Sequence, residues 1–199
     1  YGKVTGAKNV GGVIGAMAIE YDFDPEDDVL EQGDKTLNFT YKTKCIVRRC
    51  TNEAEITSKK DYCGGIVGKM DLGSLMSCDG YGKIMSEDGD YIGGIAGKSA
   101  TVVRSSAARC DVSGNDYVGG IVGDGSKVAD CHSLVHVSGY SEFGGAVSGA
   151  MPSDAVKGNY CVNDELGAID DINYTGLAEE EDIGSFVNFV KSNFNKDVV

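Results

Sequence analysis

Apolar residues in this chain come in short bursts separated by turn residues, and the bursts repeat. The clearest is Val118-Gly119-Gly120-Ile121-Val122-Gly123, preceded by Asn115-Asp116-Tyr117. Near copies stand at Asp61-Tyr62-Cys63-Gly64-Gly65-Ile66-Val67-Gly68 and Asp90-Tyr91-Ile92-Gly93-Gly94-Ile95-Ala96-Gly97. Degenerate copies stand at Glu142-Phe143-Gly144-Gly145-Ala146-Val147-Ser148-Gly149 and Val10-Gly11-Gly12-Val13-Ile14-Gly15. Taking the first glycine of each pair as the marker, the copies begin at 11, 64, 93, 119 and 144, so the intervals are 53, 29, 26 and 25 residues. A period in this range marks a stacked architecture in which no single unit can bury its apolar face alone.

From Cys45 onward each coil reads as three short strands. In the last full copy these are Val128 to Cys131, Leu134 to Ser138 and Phe143 to Ser148. Each strand is expected to pair with its counterpart one coil away, about 4.8 Å distant. The fold class this predicts is all-β in the main: a right-handed, triangular parallel β-solenoid (β-helix) of about five coils. The alternative is an antiparallel sandwich, which would show turn-linked alternation without a repeated motif. The paired glycines are expected to adopt φ > 0 at a corner and to let strands pack where side chains would clash.

The flanking segments differ in texture. Residues 1–17 supply a first partial coil, 18–44 an acidic insertion, 45–150 the regular coils, and 151–199 a terminal coil with a capping helix. The insertion runs from Glu20 to Glu31 without repeat character, then alternates through Thr36-Leu37-Asn38-Phe39-Thr40-Tyr41 as a strand would. The helix is read from Ile183, Phe186, Val187, Phe189, Val190 and Phe194, spaced by threes and fours behind an acidic N-terminal run. A solenoid end left open would template aggregation, so a cap is expected there.

Composition sharpens the picture in two ways. Twenty-nine glycines with only 2 prolines and no tryptophan fit many tight turns between short strands. Eighteen basic against 31 acidic residues leave a net charge of -13, which disfavours phosphate backbones and anionic lipid surfaces as partners. No apolar run reaches membrane-helix length, and no signal peptide is apparent. The chain opens inside a repeat, as a segment cut from a longer protein would.

Seven cysteines would suggest disulfides in a secreted chain. The repeat alignment points instead to reduced, buried thiols. Cys50, Cys78 and Cys131 share a column with Ser106; Cys63 falls with Ile92, Val118 and Phe143; Cys110 falls opposite Val135 and Ala54.

With the copies aligned, the chain resembles the GLUG-motif repeats, short bacterial units built on a Gly-Gly-(Ile/Leu)-Val-Gly core after a Val-Ser-Gly segment. The matching residues are Val112-Ser113-Gly114, Asn115 to Gly123, Val137-Ser138-Gly139 and Gly144 to Val147, with similar pieces from Cys50 to Gly68 and Cys78 to Gly97. The resemblance covers roughly residues 45–150 well, the opening weakly and the acidic insertion not at all. It implies an accessory region of a large exported bacterial protein, extracellular or at the cell surface. Its role there would be that of a non-enzymatic spacer or adhesin-like surface without catalytic residues. It implies further domains in a parent chain, and host or matrix glycans or proteins as partners.

Four constellations bear on chemistry. Asp22, Asp24, Glu26 and Asp28 alternate as calcium-loop carboxylates do, but Asp27 and Gly33 stand where an EF-hand loop has glycine and glutamate, leaving a weak calcium candidate. His132 and His136 would share a metal only on a helix; in strand backbone they lie about 13 Å apart. A carbohydrate-active β-helix enzyme or its glycan-binding accessory domain is the alternative function, but it needs a non-repeating cluster of carboxylates, and the acidic insertion is the only such run. No cofactor is indicated. The strongest candidate is a ladder: Tyr62, Tyr91 and Tyr117 in one column, with Asp61, Asp90 and Asp116 beside them. Such a row suits contact with sugars or an extended strand, and also suits plain cross-strand stacking.

Overall fold

The computed structural model describes residues 2–18, 45–161 and 166–169. Every strand pairing among them is parallel, which excludes the sandwich. Three sheets form the faces of a β-solenoid. The first face stacks Lys3–Gly6, Glu55–Ser58, Asp79–Ser86, Ala107–Ser113, His132–Ser133 with His136–Ser138, and Tyr160–Cys161. The second stacks Val10–Gly11, Cys63–Gly64, Asp90–Gly93, Asp116–Gly119 and Gly144–Gly145. The third is built on Ile14–Met17, Val67–Met70, Ala96–Arg104, Val122–Ala129 and Ser148–Ala150. Five passes along the second face bracket about four turns of chain, one fewer than the repeat count suggests.

The core follows from stacking like on like. Val4, Ile56, Ile84, Val112 and Val137 are in register on the first face, and Val47, Leu75, Val103, Val128 and Val156 on the third. Ile56, Ile84, Val112, Leu75, Val103 and Val128 are fully buried. β-branched residues dominate because each needs only to fit the copy above and below it. Two details depart from the sequence reading. The Gly-Gly-Ile-Val-Gly stretch is not one strand, because the chain turns within it and passes from the second face to the third. The piece after it merges with the next into longer strands, such as Ala96–Arg104, with a register shift between Ser99 and Val102.

The cysteine columns hold, with one exception. Cys50, Cys78, Ser106 and Cys131 are in register with one another, and Cys110 lies opposite Val135. All seven thiols are free. Burial pushes the Cys63 thiol up to about 11 and Cys131 to about 12, and Cys110 also rises. The exception is Phe143. Val118 pairs with Gly144 and Gly119 with Gly145, so the last copy runs one residue out of the expected register and Phe143 leaves the Cys63 column.

No α-helix occurs among the described residues, which hold only a short 3-10 turn at Ser153–Ala155. The capping helix expected near Ile183 to Phe194 and the acidic insertion lie outside the described residues.

Candidate functional site

The ladder begins with backbone. Tyr62, Tyr91 and Tyr117 have φ of 67°, 66° and 52°, and Asn9 holds the same column in the first coil with φ 54°. The left-handed conformation therefore falls on the residue two before the glycine pair, not on the pair itself, which corrects the expectation above. The pairs are needed for closeness instead. A Cβ on Gly119 would overlap the Val122 carbonyl oxygen, and one on Gly94 the Gly120 carbonyl of the next coil. The closing glycine completes the lock: a Cβ on Gly97 would lie 2.6 Å from the Tyr91 carbonyl oxygen, and on Gly123 2.5 Å from that of Tyr117.

This corner stacks the rings. Tyr62 and Tyr91 have centroids 5.1 Å apart at 21°, and Tyr91 and Tyr117 4.7 Å apart at 15°. Phe143 adds a fourth ring, 4.6 Å from Tyr117 at 14°. All four are half-buried. Phe143 was missed because its glycine pair was aligned by its first member. The closing glycines at 97, 123 and 149 keep a constant 26-residue interval and would have placed it correctly.

Asp61, Asp90 and Asp116 stand beside the rings, as expected, but part of each carboxylate is already engaged. Asp116 Oδ1 accepts from the N–H groups of Tyr117 (3.0 Å), Phe143 (2.7 Å) and Glu142 (3.3 Å). Asp61 Oδ1 accepts from Asp90 N at 3.3 Å, and Asp90 Oδ1 from Asn115 Nδ2 at 2.9 Å. The aspartates thus tie each coil to the next, while the Oδ2 atoms of Asp90 and Asp116 take no part in these bonds. Asp61 Oδ2 pairs with Lys8 at 3.3 Å.

A second flank comes from the third face and was not anticipated. Lys69, Lys98 and Asp124 are in register there. Lys98 Nζ lies 4.6 Å from the Tyr91 centroid and 2.8 Å from Asp124; Lys69 Nζ lies 5.6 Å from the Tyr62 centroid and 2.6 Å from Asp71. Lys8 Nζ is 5.1 Å from the Tyr62 centroid. Burial raises the Tyr91 phenol above its ordinary value, with Lys98 pulling the other way. Desolvation acts to lower Lys98, but the bond and charge of Asp124 prevail and raise it. The strip therefore offers phenol and carboxylate groups in rows that repeat with the coil, with the ammonium groups of Lys69 and Lys98 in two successive coils.

The other candidates fall apart from this strip. His132 and His136 lie on the first face, and among the described residues no group of three or more His, Cys, Asp and Glu is placed to hold a metal ion. A shallow hollow of about 420 Å³ lined by Asp79, Ala107, Asp130, His132 and Tyr160 lies where small Ala107 interrupts a column of larger side chains. Asp22, Asp24, Glu26 and Asp28 lie outside the described residues. Compared with known proteins, the chain matches no family model, and no curated protein or solved structure matches it significantly.

Proposed function

We propose that this chain is a non-enzymatic spacer and contact module of an exported bacterial surface protein, with the aromatic strip as its binding edge. The GLUG-like repeats support the setting, and a right-handed winding goes with it, since parallel crossovers favour that hand. The observation that carries the reading is the stack of Tyr62, Tyr91 and Tyr117, all on left-handed backbone, continued by Phe143.

Magnitudes separate a binding role from a purely structural one. A bulky residue in the left-handed region costs roughly 1–2 kcal/mol. An aromatic pair returns about 0.5–1.5 kcal/mol beyond its area burial. Three strained tyrosines and three stacked pairs therefore come close to cancelling, which leaves the apolar burial of half-covered rings as the net stabilising part. Asparagine, as at Asn9, meets the same geometry with less strain. Burial rewards an apolar ring but not the hydroxyl that tyrosine brings to the edge three times over.

The test is a glycan-array and host-matrix screen of the chain beside a variant carrying Tyr62→Asn, Tyr91→Asn and Tyr117→Asn. The reading expects binding by the parent chain and its loss in a variant that keeps its β-sheet spectrum. Binding that survives the triple substitution would take the strip out of the account.

A further inference from the structure

We infer that the strip takes a neutral linear polysaccharide lying parallel to the solenoid axis, one sugar per coil. The inference rests on the proposal that the strip is a binding edge, and names what it binds.

The first constraint is what the rings leave open. Stacked at 4.6 to 5.1 Å with interplanar angles of 14° to 21°, Tyr91 and Tyr117 have both faces covered by neighbouring rings. A sugar cannot lie flat on either of them. Only edges remain, and with them the phenol hydroxyls, one to a coil for three coils in a row. Recognition must then proceed through hydroxyl contacts along the row, not through stacking on a single ring.

The second constraint is period. The ligand has to repeat with the rungs or fall out of step. Side chains on one side of an extended peptide recur about every 6.6 Å. Against rungs of 4.7 and 5.1 Å, such a peptide is already badly out of phase by the third ring. A linear chain of equatorially linked pyranose rings advances by close to one rung per sugar and presents the same edge every second sugar, close to two rungs, so it stays in phase along the stack.

The third constraint is charge and hydrogen-bond type. Asp61, Asp90 and Asp116 line one side of the rings and Lys69, Lys98 and Asp124 the other, and all three nearby lysines are ion-paired, Lys8 with Asp61, Lys69 with Asp71 and Lys98 with Asp124. The chain as a whole is strongly acidic, with a net charge of -13. An anionic polymer is repelled by the whole, and the strip's lysines are already ion-paired, whereas a neutral sugar needs donors and acceptors and no net charge. Amphoteric phenols supply both in every coil from Tyr62 to Tyr117, with carboxylate oxygens beside them throughout and ammonium groups at the Tyr62 and Tyr91 coils.

The experiment titrates the chain with neutral β-1,4-linked oligosaccharides of glucose and of N-acetylglucosamine, from monosaccharide to hexasaccharide, by calorimetry. Affinity is expected to rise by up to about tenfold per added sugar, the value of one net hydrogen bond, and to level off once the ligand spans the four rings. The Tyr→Asn triple variant should lose both the affinity and its dependence on length. Affinity that is flat with length, while the triple variant still loses binding, overturns the axial arrangement and leaves the strip as a binding edge. Length-dependent binding unchanged in the triple variant overturns both. Silence across both sugar series overturns the polysaccharide assignment, and the host-matrix screen then decides the strip by itself.

Discussion

The solenoid has two left-handed corners, built on one geometry and opposite chemistries. One corner, between the third and first faces, runs through Arg49, Ser77, Ser105, Asp130 and Gly158, with φ from 50° to 62°. The other, entering the second face, runs through Asn9, Tyr62, Tyr91 and Tyr117, with φ from 52° to 67°. Both ask for the same backbone. The first mostly answers with small polar residues and a glycine, which reach it at lower cost. The second answers with tyrosine, which does not. Their backbone bonding differs too. At the polar corner the following N–H is received by a side chain of the next coil: Cys78 N by Ser106 Oγ at 3.1 Å, and Cys131 N by Asn159 Oδ1 at 2.9 Å. At the aromatic corner the preceding aspartate receives the next coil's N–H groups. The polar corner is explained by its own bonds; the aromatic corner carries the row of rings proposed above as a binding edge.

The largest effect should come from what locks the aromatic corner from behind. Gly119→Val drives a branched side chain into the Val122 carbonyl, and unfolding free energy should fall by about 3–5 kcal/mol. A denaturant midpoint close to that of the exposed control Ser126→Ala would break the close-approach account.

Next comes the polar corner. Asn159 is fully buried and also donates Nδ2 to the Val128 carbonyl at 3.1 Å. Asn159→Ala leaves that carbonyl and Cys131 N without their partner, so a loss of about 2–4 kcal/mol is expected. A neutral result would show that this corner does not depend on its side-chain receptor.

The thiols beneath both corners respond to alkali. Cys63 lies one residue past the aromatic corner and Cys131 one past the polar corner, and burial lifts both above the ordinary value of 9.0, to about 11 and about 12. An unfolded thiol ionises first, so the folded state binds more protons above about pH 9, and stability falls as pH rises towards 11 or 12. The slope approaches about 1.4 kcal/mol per pH unit for each thiol. Cys63→Ala and Cys131→Ala should each flatten the alkaline limb of a pH–stability profile. An unchanged limb would place these thiols in water.

A smaller change transfers the chemistry between corners. Ser105→Tyr puts an aromatic on left-handed backbone between Ser77 and Asp130, with no ring above or below, and should cost about 1–2 kcal/mol. A gain in stability would mean that tyrosine suits such a corner without a stack.

How far the sequence carries can be read from the same residues. The glycine-pair period led to a parallel solenoid, and the Cys50, Cys78, Ser106 and Cys131 column to free, largely buried thiols, because a stack repeats its side-chain environment coil by coil. Tyr62, Tyr91 and Tyr117 were legible as a row for that reason. The corner itself was not. Glycine is selected both for φ > 0 and for close approach, and a sequence does not separate the two motives; here the pairs serve closeness and the tyrosines carry φ > 0. Lys69 and Lys98 were not legible beside the rings because the turn within Gly-Gly-Ile brings the third face back against the corner, which a single straight strand would not do.

The central claim is that the tyrosines are held for their outward edge and not for the stability of the coil. Chemical denaturation of the Tyr62→Asn, Tyr91→Asn, Tyr117→Asn chain beside the parent tests it most directly. Relief of left-handed strain should largely offset the lost stacking, leaving mainly the burial of three half-covered rings, a fall of about 3 kcal/mol in unfolding free energy. A loss of about 5 kcal/mol or more would make the ladder a staple of the fold and contradict the account.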